Sequence, residues 1–267
     1  MVSEGGPHMV RPPLITRLIG ALALTFFACL PSAAVAQLQP MSACADCHYA
    51  NPGSTSAQHL TEWDLSPHSR QRAGCDKCHG GNPNSFEKGQ AHRGMLSPNS
   101  PGSRVSRANI PATCGSCHVG PFVAFQDSKH YELLKAGNRN VPTCVTCHGN
   151  VAANVPSPKA VESRCNSCHG AKGVAPRPDR ARNAALHIAG LNELRDLLDQ
   201  ADKTIARIKD AQRREPLLYQ AQQARVPLIE AQNAGHRFVY DALEERLMRA
   251  RMRVSALLDQ LANPSPR

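Results

Sequence analysis

The stretch Cys165-Asn166-Ser167-Cys168-His169-Gly170 sets two sulfurs and one imidazole within five residues, and four similar stretches precede it. They are Cys44-Ala-Asp-Cys47-His48, Cys75-Asp-Lys-Cys78-His79, Cys114-Gly-Ser-Cys117-His118 and Cys144-Val-Thr-Cys147-His148. Histidine is 12 of the 267 residues. Its recurrence after all five CxxC pairs by chance is roughly two in ten million for independent positions, which excludes coincidence for a signature that marks covalent c-type haem attachment. Zinc is the competing reading. Paired CxxC motifs build four-cysteine zinc sites, but nothing in such a site requires a histidine after every second cysteine. The motifs therefore imply five covalent haems c. The thiols of Cys44, Cys47, Cys75, Cys78, Cys114, Cys117, Cys144, Cys147, Cys165 and Cys168 add across the vinyl groups. His48, His79, His118, His148 and His169 each supply one axial ligand.

The rest of the composition fits an exported protein. Arg11 and Arg17 flank the start of an apolar run from Leu18 to Leu30, and Ala34-Val35-Ala36 precedes Gln37, a small-x-small cleavage pattern. Residues 1–36 read as a signal peptide, with an uncleaved anchor as the alternative. The run is short for a membrane span. Cleavage removes Cys29 and leaves ten cysteines, all in the motifs. The mature chain then has no transmembrane span and is expected to be periplasmic or otherwise extracytoplasmic. The formal charge of the full chain is +10. Without Arg11, Arg17 and Glu4 it is +9, and five haems bring about ten propionates, so the basic balance answers the cofactors rather than nucleic acid.

Residues 37–180 form the pentahaem-binding region. They are rich in Gly, Pro, Ser and Asn, and stretches such as 82–104 read as loop. Alone they bury too little apolar surface to offset chain entropy, so the haems act as their core. A repeat runs through them. Trp63-Asp-Leu-Ser66-Pro-His68 leads into the second motif, and Phe125-Gln-Asp-Ser128-Lys-His130 leads into the fourth. Two dihaem modules and a fifth haem result. Residues 181–267 are helical. One stripe runs His187, Leu191, Leu194, Leu198, Ala201, Ile205, Ile208, and another runs His236, Tyr240, Leu243, Leu247, Ala250, Val254, Leu257, Leu261. Arg213-Arg214-Glu215-Pro216 is expected to separate the two helices, with Pro227 kinking or interrupting the second. The fold class is thus mainly α with extensive loops, a multihaem cytochrome c fold closed by a long antiparallel helical hairpin.

Five irons call for five further ligands, and the mature chain offers six more histidines. His68 and His130 recur in the repeat and are expected to serve the haems of His48 and His118. His187 and His236 lie on the apolar stripes, where a core histidine bonded to a carbonyl is the plainer alternative. In a hairpin turning near residue 214 they stand roughly 8 Å apart along the axis. His92 is the fifth candidate, and His59 is the spare. Met41 and Met95 are weaker alternatives.

The CxxCH series, the F/W-x-x-S-x-H elements and the closing helices with Asn233-Ala-Gly-His236 resemble multihaem cytochromes c of the ammonia-forming nitrite reductase and hydroxylamine oxidoreductase group. The resemblance spans roughly residues 41–260 and implies closely stacked haems. It departs at the active site, because that group's nitrite reductases bind substrate at a CxxCK motif and no motif here ends in lysine. The early motifs also resemble tetrahaem quinol-oxidising cytochromes, which keep a membrane anchor and lack the helical tail. The favoured function is electron transfer between redox partner proteins through bis-histidine haems, with no catalytic residue. The alternative is an oxidoreductase acting on a small nitrogen or sulfur compound at one five-coordinate haem. A third reading is a non-catalytic haem protein, such as a gas sensor or haem store, whose hairpin docks a partner, but five haems are excessive for sensing. The hairpin also offers a surface for homo-oligomerisation.

Overall fold

The computed structural model describes residues 42–53, 55–151 and 156–263, so the signal peptide expected over 1–36 lies outside the described residues. These residues fall in one compact unit, 40–267. They form helices and loops, with no strand among the described residues. In chain order the helices are α1 (Ala43–Ala50), α2 (Ala57–Asp64), α3 (Pro67–Arg70), α4 (Cys75–His79), α5 (Lys88–Ala91), α6 (Ile110–Gly115) and α7 (Val119–Gln126). There follow α8 (Lys129–Lys135), α9 (Cys144–His148), α10 (Pro158–His169), α11 (Pro178–Ala206), α12 (Ala211–Gly235) and α13 (Tyr240–Ala262). No described helix is long and apolar enough to cross a membrane.

The haem-motif region is a set of short helices whose starts are dictated locally. The repeat has a physical cause. Trp63 and Phe125 are buried, and Ser66 and Ser128 are buried beside them. Ser66 accepts from the Ser69 amide and Ser128 from the Tyr131 amide, so each is the N-cap of a new helix, α3 or α8. In both, histidine is the second helical residue. Trp63 also donates its indole N–H to the Ala73 carbonyl at 3.0 Å, tying α2 to the residues before the second motif. Cys75–His79 and Cys144–His148 are single turns that end at Gly80 and Gly149, with φ of 79° and 78°. Only glycine takes that conformation without strain.

The C-terminal third is a three-helix bundle, not the expected hairpin. Its first helix also begins at Pro178, three residues before the anticipated boundary. One core joins Leu191, Leu194, Leu198, Ala201 and Ile205 of α11 with Leu243, Leu247, Ala250, Val254 and Leu257 of α13. Between them runs a third stripe on α12, Leu217, Ala221, Ala224, Leu228, Ala231, again in steps of four and three. Its alanines let the flanking helices approach closely.

Helix α12 runs through both Pro216 and Pro227. A proline inside a helix costs roughly 3 kcal/mol. Losing the middle helix would uncover the buried faces of both neighbours, at about 1.5–3 kcal/mol for each large apolar side chain, so packing overrides the local preference. The chain breaks instead at Arg207–Asp210, before the expected Arg213–Pro216, and at His236–Val239, where Phe238 takes φ 58°. That turn is held against α7. Arg237 pairs with Asp127 at 3.7 Å, and Phe238 lies 6.3 Å from the Phe125 ring. Asn233 packs so tightly on Gly120 that a Cβ there would sit 2.8 Å from its amide nitrogen. On the outer faces Arg249 pairs with Glu230 and Glu245, and Arg251 with Glu193. Those arginines face carboxylates of the bundle itself.

Candidate functional site

Each motif histidine is faced by a second imidazole. The ring centroids are 6.0 Å apart for His48 and His92, 5.9 Å for His79 and His59, and 6.1 Å for His118 and His68. They are 6.2 Å apart for His148 and His236, and 6.0 Å for His169 and His130. A metal–imidazole bond of about 2.0 Å on each side, plus roughly 1.1 Å from each nitrogen to its ring centre, spans about 6.2 Å. The five separations fit one metal between each pair of rings. Two cysteines stand beside every pair, so the residues present suit a macrocycle tethered at two points.

The proton positions agree. Nδ1 of His92 lies 2.8 Å from the Lys88 carbonyl, Nδ1 of His169 lies 2.7 Å from that of Ala175, and Nδ1 of His236 lies 2.9 Å from that of Gln232. His68 makes a longer contact, 3.4 Å to the Val151 carbonyl. A carbonyl only accepts, so each Nδ1 carries the hydrogen and Nε2 keeps its lone pair for a metal. Burial, and then the facing imidazole, lowers the pKa of His79 and of His130. Burial also lowers that of His236. Neutral imidazole is the ligating form.

The second-ligand assignment changes in one place. His187 does not face a motif histidine. Its Nε2 is 3.2 Å from the Glu244 carboxylate of α13, and its ring stacks 5.2 Å from Tyr240. Tyr240 in turn donates to the Arg180 carbonyl at 2.5 Å. Packing of α13 against α11 thus engages its Nε2, while its Nδ1 is buried without a hydrogen-bond partner. His59, the expected spare, faces the motif histidine His79 instead, carried by α2. The pairing shifts as well. His68 faces His118 rather than His48, and His130 faces His169 rather than His118. Each repeat histidine therefore reaches past the next motif to the one after it. His59 stood as the spare of the six histidines, although its place between two motifs was a usable signal.

The thiols of successive motifs adjoin. Burial pushes the Cys75 thiol up to about 11, with Cys44 adding to the effect. Cys78 is raised by burial and then by Cys114, and Cys165 by burial and then by Cys147. Cys114 donates to Cys144, which raises the donor and lowers the acceptor. Motifs one to five are thus neighbours in space in the order they hold in sequence. An open cleft of about 550 Å³ lies over the fourth, lined by Val145, Cys147, His148, Gly149 and Arg164. Arg164 donates to the Cys147 carbonyl there.

Residues 101–170 match the family model described as cytochrome c7 and related cytochrome c. No curated protein and no solved structure matches the chain. The matched stretch holds three of the motifs, together with His130. It is a cytochrome c7-like multihaem c-type cytochrome domain, which implies covalently attached c-type haem and electron transfer with redox partners.

Proposed function

We propose that the chain carries five c-type haems and passes electrons along them between redox partners outside the cytoplasm. The observation that carries this reading is that all five motif histidines are faced by a second imidazole at metal-bridging distance. The residues that would hold the irons are His48 with His92, His79 with His59, His118 with His68, His148 with His236 and His169 with His130. The ten motif cysteines anchor the macrocycles. When bound, haem supplies one-electron chemistry at iron.

The protein's residues do the rest. Carbonyls of Lys88, Ala175 and Gln232 fix the tautomer and orientation of three ligands, which limits reorganisation when charge changes. Adjacent cysteines of successive motifs support a wire that runs from the first motif to the fifth. Held by these histidine pairs, no iron would be left open to nitrite or hydroxylamine, and no motif ends in lysine. The export signal over 1–36 belongs to the same reading, since c-type haem is attached outside the cytoplasm.

The test is to count haems per chain in the mature holoprotein by pyridine haemochrome, and to record EPR of the oxidised form. Five low-spin haems, unchanged by nitrite, hydroxylamine or carbon monoxide in the appropriate oxidation state, are expected. One high-spin haem that binds such a ligand would overturn the carrier reading in favour of a small-molecule oxidoreductase.

A further inference from the structure

Phe238 is a bulky residue at φ 58°, a left-handed conformation that such side chains rarely adopt. Strain of this kind persists only where the surroundings over-determine it, and it concentrates at functional positions. Here the surroundings are specific. The turn carrying Phe238 is pinned by the Arg237–Asp127 pair on one side and by Asn233 against Gly120 on the other. Pinned so, the ring meets His130 edge to face, with centroids 4.5 Å apart and planes at 83°. It also meets Phe125 at 6.3 Å.

His130 differs from His92, His169 and His236 in how it is held. Their Nδ1 atoms lie within 2.9 Å of a carbonyl. The Nδ1 of His130 is buried and has no hydrogen-bond partner. A bound carbonyl raises the basicity of a ligating imidazole and fixes its ring. His130 lacks that restraint, and the ring packed against it is Phe238.

We propose that Phe238 is the positioning residue for His130: its ring fixes the imidazole plane and keeps water from Nδ1, and so holds the haem of the His130/His169 pair at a raised reduction potential. This rests on the assignment of His130 and His169 as an axial pair. The sign follows from the chemistry. Water at Nδ1 would accept its hydrogen, make the imidazole more basic and favour ferric iron. Greater exposure of the haem acts in the same direction.

The turn thus performs two tasks. It delivers His236 to His148 and, two residues later, Phe238 to His130. The C-terminal bundle therefore governs two adjacent haems, those of the fourth and fifth motifs.

The experiment compares wild-type holoprotein with Phe238→Gly, Phe238→Leu and Phe238→Tyr, by EPR and by spectroelectrochemical titration. Glycine accepts φ 58° freely, so Phe238→Gly relieves backbone strain while removing the ring. One of the five low-spin signals should shift in g-values, and one midpoint should fall by a roughly tenfold change in the reduction equilibrium, ~59 mV for a one-electron couple. Phe238→Leu keeps apolar bulk without the ring edge and should move the same signal. Phe238→Tyr keeps the ring and should behave as wild type.

Unchanged signals and midpoints in the glycine and leucine variants, or movement of all five together, would overturn the assignment. A wild-type protein without five low-spin haems would sink the bis-histidine reading instead, so the two failures are distinguishable.

Discussion

Replacing His59 and His187 in turn separates the tertiary structure from the sequence pattern. His59 faces His79 at 5.9 Å, and its α2 helix is held by the buried Leu60 and Trp63, one turn apart on the same face. His59→Ala should leave that helix in place and strip one axial ligand from one haem of five. A fifth of the haem should become high-spin, or bind water or an added ligand such as carbon monoxide, with the other four unaltered. That haem's potential should rise, because a strong nitrogen donor is lost.

His187→Ala should do nothing of the kind. It removes a contact to the largely exposed Glu244 carboxylate, worth about 0.5–1 kcal/mol, and a stack on Tyr240 worth about 0.5–1.5 kcal/mol. The sum is about 1–2.5 kcal/mol of stability, read as a fall in Tm of roughly 2–10 °C at about 2–4 °C per kcal/mol for a domain of this size. The visible and EPR spectra should stay those of five low-spin haems. The assay is magnetic circular dichroism with EPR on both variants, alongside thermal melts. A high-spin haem in His187→Ala, or none in His59→Ala, would reverse the roles given to these two histidines.

Three further outcomes follow from the geometry. The imidazole planes of the His48/His92, His79/His59 and His118/His68 pairs cross at 79°, 80° and 72°, whereas those of His148/His236 lie at 13°. Near-perpendicular ligand planes leave the iron d-orbitals almost degenerate and give low-spin signals with a large maximum g. A near-parallel pair gives an ordinary rhombic signal, which His236→Ala should abolish. Ser128→Ala removes the buried N-cap of α8, should cost about 0.5–2 kcal/mol, and should perturb the haem of His130 and His169 before any other, as measured by denaturant titration followed at the Soret band. Gly120→Ala drives a methyl into Asn233 and should lift the α12–α13 turn off α7, a destabilisation of about 1–3 kcal/mol, with the His148/His236 haem losing its low-spin signature first in the same titration.

The chemistry of the site was legible because it is local. Five CxxCH motifs name a cofactor without any knowledge of the fold, since two thiols and an imidazole must lie within one helical turn to serve it. The repeated aromatic-x-x-Ser-x-His element was equally readable, because an N-cap and the residue two places after it are fixed by the start of a helix. The apolar stripes of α11 and α13 could be read for the same reason. The α12 stripe was missed because alanine carries little hydrophobic signal and two prolines argued for a break. Helix packing decided otherwise, and placed the break at Phe238.

Local pattern thus names the cofactor chemistry, the helical tail and the supply of six extra histidines. Which imidazole meets which is set by packing across the fold. Partners such as His148 and His236 are far apart in the chain, and their meeting depends on where a bundle turns. His187 and His59 illustrate the point from opposite sides. The apolar stripe favoured His187, but α13 brings Glu244 to its Nε2. Nothing in the stripe favoured His59, yet α2 sets it opposite His79. A side chain's neighbours along a helix follow from its period, whereas its neighbours across a fold follow from packing.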